Sequence, residues 1–201
     1  MTTPRPRLFL ASSSPRRHEL LRQIGVSFES LSPDIPEQPG SGESAPDYVN
    51  RLAAEKARAG LALINSSAKD ESILLLGSDT SVVVDDTILG KPSGREEGLE
   101  MLSRLSGRSH QVMTAVSMLD QHGRQESRLS VSEVWFRELG KIEMEQYWHS
   151  GEPLGKAGGY AVQGLGAIFI QRLSGSYSGV MGLPLFETAQ LLESFGLPVL
   201  E

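Results

Sequence analysis

Short apolar runs separated by turns rich in serine, glycine and proline divide the chain into alternating strands and amphipathic helices. Residues 7–11, RLFLA, read as a strand. SPRRHELLRQIG then predicts a helix, with Ser14 at the N-cap, Pro15 at the first helical position, Leu20, Leu21 and Ile24 on one face, and Gly25 as terminator. VSFESLSPDIPEQPGSGESAPD predicts a strand and then an irregular loop, after which Ser44 and Asp47 cap a second helix reaching Ile64. Beyond the polar loop NSSAKDES, the run ILLLGSDTSVVV is almost continuously apolar, the pattern of a strand covered on both faces, and GSDT alone interrupts it.

The second half repeats the alternation. DDTILGKPSG predicts a hairpin turn and a short strand ending at Lys91-Pro92, and REEGLEMLSRLSG a helix closed by Gly107. HQVMTAVSMLD and RLSVSEVWFREL are two long strands joined by QHGR, and KIEMEQYWHSG is a short amphipathic helix. EPLGKAGGYAVQGLGAIFIQRLSG mixes a glycine-rich loop with a strand, and LPLFETAQLLESFG is a closing helix with Pro184 near its start. There is no internal repeat or long linker. The irregular order predicts an α/β fold, a mixed twisted sheet with flanking helices, as a single domain over residues 1–201.

Composition narrows the functional classes. With 201 residues and 39% apolar side chains the chain has material for a sizeable core. A formal charge of −6 excludes nucleic-acid binding through a broad basic surface, so any phosphate site has to be a local cluster. Without cysteine there are no disulfides and no thiolate zinc sites, which suits a reducing compartment. His18, His110, His122 and His149 are too scattered for a metal motif and read as surface or packing residues, and Trp135 and Trp148 as core or interface aromatics. Leu8 to Ala11 is far too short for a signal-peptide core or a membrane span. A soluble cytoplasmic protein without nucleic-acid or membrane partners is expected.

Candidate chemistry begins at LASSSPRRHELL. Positive charge in the first turn of a helix opposes the macrodipole by about 0.3–1 kcal/mol per exposed side chain, so Arg16 and Arg17 either point to solvent or meet an anion. With Ser12, Ser13, Ser14 and the free N–H groups of the helix start they would form an oxyanion cradle. Asp79, at the end of an apolar strand, either accepts hydrogen bonds from a loop, or holds a metal or takes a proton from water. Glu37 is an exposed loop acid or a second metal-side carboxylate, and Lys56 and Lys91 are solvated charges or parts of a phosphate site. Gln163, in GKAGGYAVQG, offers a donor and an acceptor, the complement of the N3–H and a carbonyl of uracil or thymine; the alternative is a brace for its loop. GSYSGVMGLP lacks the spacing of a Walker motif.

In order, LASSSPRRHELL, AAEKARAG, GSDT, ILGKP, LSGRSHQVMTAV, EPLGKAGGYAVQG and GSYSGVMGLPL resemble the Maf family of nucleoside triphosphate pyrophosphatases, from Leu8 to the end. The resemblance implies a Maf/inosine triphosphatase-like fold of two lobes around a central cleft, often a homodimer, and hydrolysis of a nucleoside triphosphate to monophosphate and pyrophosphate with Mg²⁺ or Mn²⁺. It implies Asp79 as proton acceptor, Arg17, Thr80 and Gln163 as the positions setting base preference in the dTTP/UTP branch, and Ser12, Arg16, Glu37, Lys56 and Lys91 along the cleft. Of these, Ser12, Arg16, Lys56 and Lys91 would bind phosphate, and Glu37 and Asp79 the metal. Modified pyrimidine triphosphates such as 5-methyl-UTP, and CTP, fall within the same expectation. Two positions depart from the pattern: Gly155 replaces the acid before Lys156, and Ser78 replaces alanine in GSDT. The competing readings are a purine-type enzyme acting on inosine or xanthosine triphosphates and a non-catalytic nucleotide-binding regulator of cell division.

Overall fold

A computed structural model describes residues 5–64 and 72–200; the polar loop expected at residues 65–71 lies outside the described residues. One seven-stranded mixed sheet forms the frame, built from β1 (Arg7–Ala11), β2 (Glu29–Leu31), β3 (Ile73–Val84), β4 (Thr87–Leu89), β5 (Ser109–Asp120), β6 (Gln125–Phe136) and β7 (Ile170–Ser174). The order is β2-β1-β3-β5-β6-β7, with β4 beside β3. β1 runs parallel to β2 and β3, and the remaining pairs are antiparallel. Helices α1 (Pro15–Gln23), α2 (Ala45–Leu63), α3 (Arg95–Leu105), α4 (Lys141–His149), α5 (Tyr177–Met181) and α6 (Leu185–Ser194) flank it.

The fold prediction holds, and β3 explains where the cleft opens. On one side β3 is laddered to β5 without a break from Leu74 to Val83. On the other, β1 pairs with Ile73–Leu76 and β4 with Val82–Val84, so residues 77–81 have no strand beside them. GSDT therefore does not interrupt the strand. It is the part of a continuous strand left open where β1 ends and the chain turns into α1.

The core follows the same division. At the β1 end, Leu8, Leu10, Leu20, Leu21, Leu74, Leu76, Leu191 and Leu192 pack together; at the β4 end, Val82, Leu102, Leu105, Val134, Phe136 and Tyr147 form a second cluster. Each fully buried aliphatic side chain stabilises by about 1.5–3 kcal/mol. Two lobes thus share one sheet, with the gap along β3 between them. Across the other face, α2 lies directly on β3. A Cβ at Gly77 would meet the Ala53 carbonyl oxygen at 2.1 Å, so glycine at this position is what allows the helix its close approach.

Local predictions mostly hold, with instructive exceptions. Ser44 caps α2 by accepting from the Asp47 N–H, as expected. Ser14 occupies the N-cap of α1 but makes no side-chain capping bond; the hydroxyl of Ser12 accepts the Ser14 N–H instead. The turn between β3 and β4 places Asp85 and Asp86 at φ 48° and 57°, the left-handed pair of a two-residue hairpin turn. α5, inside GSYSGVMGLP, has no counterpart in the predicted elements; it is one five-residue turn, capped by Ser176 accepting from the Gly179 N–H.

Candidate active site

A cleft of about 710 Å³ opens along the unpaired stretch of β3, bounded by the β1–α1 turn, the loop carrying Glu37, and the glycine-rich segment before β7. Its most ordered feature is a chain of alternating charges. Lys56 Nζ lies 2.7 Å from Asp79 Oδ1 and 2.6 Å from Glu37 Oε1, and Lys91 Nζ lies 2.6 Å from Glu37 Oε2. Lys56 and Asp79 are buried, while Lys91 reaches out to solvent. Burial alone would raise the Glu37 pKa, but hydrogen bonds and charge from Lys56 and Lys91 outweigh it and hold the carboxyl at about 2. Asp79 Oδ2 has no hydrogen-bond partner among the described residues, so one oxygen is anchored and the other remains for a ligand or water.

The elements dictate this arrangement. Asp79 is centred in the open stretch of β3, and Lys56 is one helical turn beyond Ala53, the residue that touches Gly77. Close packing of α2 therefore delivers the ammonium to the carboxylate. Glu37 is held at its backbone too, where the carbonyl accepts the Tyr48 hydroxyl at 3.1 Å.

Arg16 and Arg17 part company. Arg17 turns inward: Nε donates to the Gly182 carbonyl at 2.8 Å, Nη1 to Ser12 Oγ at 3.2 Å and Nη2 to Thr80 Oγ1 at 3.3 Å. Burial lowers its pKa against the opposing pull of Asp79 and Glu37. Arg16 stays at the rim, paired with Glu19 at 3.2 Å. A single cradle of both guanidiniums over the helix start is accordingly not what forms. Ser12 is buried and already accepts from Ser14 and Arg17, whereas Ser13 is exposed on the cleft wall.

Gln163 lines the cleft, half-buried, and its side chain makes no hydrogen bond among the described residues. The brace of its loop is Glu152, which accepts from the Leu165 and Gly166 N–H groups and the Tyr147 hydroxyl. The amide of Gln163 is left for a ligand. Other residues lie in the cleft wall or directly behind it. Lys156 donates to the Glu152 carbonyl and faces Arg16 closely enough for that charge to help depress its pKa, after burial and against Glu152. Ser78 and Arg17 both donate to the Gly182 carbonyl. Thr114 stands behind Thr80, with their Oγ1 atoms 3.0 Å apart. Nothing in the one-dimensional pattern marks a threonine on the neighbouring strand as part of the site; register alone puts it there.

His110 and His18 are packing residues, and His122 and His149 are exposed on the surface. His110 is buried with Nε2 2.7 Å from the Tyr160 hydroxyl, and His18 Nε2 lies 2.8 Å from the Ser12 carbonyl oxygen. No group of three or more histidine, aspartate or glutamate side chains could hold a metal among the described residues. The carboxylates of Glu37 and Asp79 do converge, on Lys56 Nζ, which lies 2.6 Å from one and 2.7 Å from the other. That donor set fits a hard divalent ion which takes one or two protein carboxylates and completes its shell with phosphate oxygens and water.

Fold and cleft together define a mixed α/β protein whose site is a buried carboxylate flanked by cations on an open strand edge. The chain belongs to the Maf-like protein family, whose model matches residues 7–195. It is 54% identical over 191 residues to a dTTP/UTP pyrophosphatase of Alkalilimnicola ehrlichii, covering 95% of this chain and 94% of that one. A dTTP/UTP pyrophosphatase of Saccharophagus degradans is 53% identical over 96% of this chain and 90% of its own, and one of Vibrio parahaemolyticus 54% identical over 94% and 96%. Among solved structures, the Staphylococcus aureus Ham1 protein aligns over 94% of this chain and 97% of its own at 12% identity and a TM-score of 0.44, a likeness too remote to carry function. No helix among the described residues is long and apolar enough to cross a membrane.

Proposed function

We propose that this protein hydrolyses dTTP and UTP to the nucleoside monophosphate and pyrophosphate. The observation that carries the reading is the buried Asp79, anchored through Oδ1 by Lys56 and unpartnered at Oδ2, at the centre of a cleft rimmed by Lys91, Arg16 and Lys156. Family membership and relatives named for this activity support it. A regulator that merely bound nucleotide would gain nothing from a carboxylate oxygen kept unpaired amid cations. A purine-type enzyme is disfavoured by Thr80 and Gln163, which suit a small pyrimidine edge.

In this reading the triphosphate lies along the cationic rim, its charge neutralised by Lys91, Lys156 and Arg16. Asp79 Oδ2 accepts a proton as water attacks the α phosphorus; the α–β anhydride bond breaks and pyrophosphate leaves. Lys56 keeps Asp79 oriented. A divalent ion, held by Glu37 and Asp79 with the substrate's oxygens, would supply further charge neutralisation when bound. Arg17, Thr80 and Gln163 line the side that receives the base.

The test is pyrophosphate release from dTTP, UTP, CTP, 7-methyl-GTP and ITP, with and without Mg²⁺ or Mn²⁺. Metal-dependent turnover favouring dTTP and UTP is expected. Folded protein that binds these nucleotides and turns over none of them would sink the enzymatic reading.

A further inference from the structure

We infer that Glu152 is a positioning residue for substrate choice: its carboxylate fixes both shoulders of the Gln163 loop while its carbonyl holds Lys156, so one residue sets the spacing between base contact and phosphate contact. This rests on the roles proposed above for Gln163 and Lys156 and deepens them.

Gln163 stands between two anchored stretches of backbone. On its C-terminal side the Leu165 N–H donates to Glu152 Oε2 at 2.8 Å and the Gly166 N–H to Oε1 at 2.9 Å. On its N-terminal side the Ala161 N–H donates to the Tyr147 hydroxyl at 3.2 Å, and that hydroxyl donates in turn to Glu152 Oε1 at 2.7 Å. Both shoulders therefore end on one carboxylate, one directly and the other through a buried phenol. The approach is close enough to require glycine: a Cβ at Gly164 would meet Glu152 Oε2 at 2.0 Å, and one at Gly166 would meet the Tyr147 hydroxyl oxygen at 2.8 Å.

The arrangement needs an ionised acid. All three groups reaching the carboxylate bring a proton, so both of its oxygens have to accept. Burial would raise the Glu152 pKa, but the Gly166 N–H, the Tyr147 hydroxyl and the Leu165 N–H outweigh it and hold the carboxyl below its ordinary value. Burial and the neighbouring carboxylate raise the pKa of Tyr147, which keeps its proton. An amide at position 152 would turn its NH₂ toward a backbone N–H whichever way it lay.

The carbonyl of the same residue accepts from Lys156 Nζ at 2.6 Å, and Lys156 and Gln163 both line the cleft. Fixing the two on one residue fixes how far a base can stand from the phosphates. Uracil presents N3–H beside C4=O to the Gln163 amide. Hypoxanthine presents the same pair, N1–H beside C6=O, but its fused ring carries that edge farther from the sugar. The amide matches either edge in polarity. What it contributes to separating UTP from ITP is its fixed place.

The test is kcat and KM for UTP and ITP in the wild type, Glu152→Gln, Gln163→Ala and the double variant, each with a melting curve. The wild type should favour UTP. Glu152→Gln should cut that preference by about tenfold, through KM for UTP with little change in kcat, because a loosened base contact loses binding common to ground and transition states. A merely structural loss would lower the folded fraction and leave KM and the ratio as they were. The double variant should show a preference no lower than that of Gln163→Ala, since no amide is then left to misplace. An unchanged UTP-to-ITP ratio in folded Glu152→Gln, or a double variant in which the two losses multiply, overturns the inference and leaves the pyrophosphatase reading intact. If Glu152→Gln fails to fold, Tyr147→Phe decides: it frees the Ala161 shoulder alone and should cut the preference by about threefold, and an unchanged ratio overturns the inference. A preference untouched by Gln163→Ala overturns the base-facing role of Gln163 and the inference with it. No turnover of any triphosphate overturns the pyrophosphatase reading as well.

Discussion

Lys56 and Asp79, 23 residues apart and on different elements, meet at 2.7 Å in an environment where each side chain is about a tenth exposed. A buried ion pair of this kind gives little net stability over a well-packed apolar pair, because desolvation cancels much of the Coulomb attraction. Its retention points to chemistry. Lys56 contacts both Asp79 and Glu37, so one ammonium holds two carboxylates of the cleft at defined positions.

Replacing Asp79 with asparagine keeps the shape and removes the proton acceptor. Turnover of UTP should fall by about 10²–10⁴-fold, with the protein still folded by circular dichroism and still able to bind nucleotide. Turnover within a factor of a few of the wild type would remove Asp79 from the base role.

Lys56→Met should do more damage to stability than Asp79→Asn does. It leaves Asp79 buried as an uncompensated charge beside the Glu37 carboxylate, and breaking a buried pair from one side costs about 3–5 kcal/mol. Urea unfolding checks this, and the double variant Lys56→Met with Asp79→Asn should recover part of the loss. A double variant no more stable than the single one would show that the pair is not what the methionine disrupts.

Gly77→Ala links the fold to the site. The added methyl would sit 2.1 Å from the Ala53 carbonyl oxygen, so α2 has to move off β3 and take Lys56 with it. Overpacking of this sort costs about 1–3 kcal/mol, and activity should drop with stability although residue 77 touches no substrate. A melting temperature equal to that of the wild type would mean that α2 shifts to admit the methyl without cost.

Most elements were legible because they depend on local pattern: the capped start of α2, the apolar run of β3 and the long β5 and β6 strands follow from periodicity and turn chemistry. The site was legible only as isolated side chains with two readings each. That Lys56 meets Asp79, that Arg17 turns inward while Arg16 does not, and that Glu152 rather than Gln163 braces the glycine-rich loop are consequences of packing between distant segments. α5 escaped detection because a single five-residue turn with a glycine inside it carries no periodic signal.

The Gly155 departure from the family pattern has a backbone reason. Gly155 lies at φ 71° on the cleft wall, and a Cβ added there would meet nothing within 4 Å, so an aspartate fits in space but not in ease of conformation. Gly155→Asp should fold, lose about 1 kcal/mol of stability, and leave turnover of UTP within a fewfold of the wild type. A large gain in metal-dependent activity would show instead that the missing carboxylate limits the site.

His110 should give the protein a stability that depends on mildly acidic pH. Burial lowers its pKa from 6.5 to about 4 in the folded state, and its ring packs edge-on against Phe136 and Tyr160. Between those two values the unfolded chain binds a proton that the folded chain refuses, so unfolding becomes easier as the pH falls. The contribution is complete above pH 6.5, declines toward pH 4 and is then spent, amounting to about 3 kcal/mol over the window. His110→Gln keeps a partner for the Tyr160 hydroxyl but cannot take the charge. The difference in unfolding free energy between wild type and this variant should therefore slope between pH 6.5 and pH 4 and be flat above it, since the other three histidines are common to both proteins. A difference independent of pH would mean that His110 titrates at its ordinary value and that its pocket admits water.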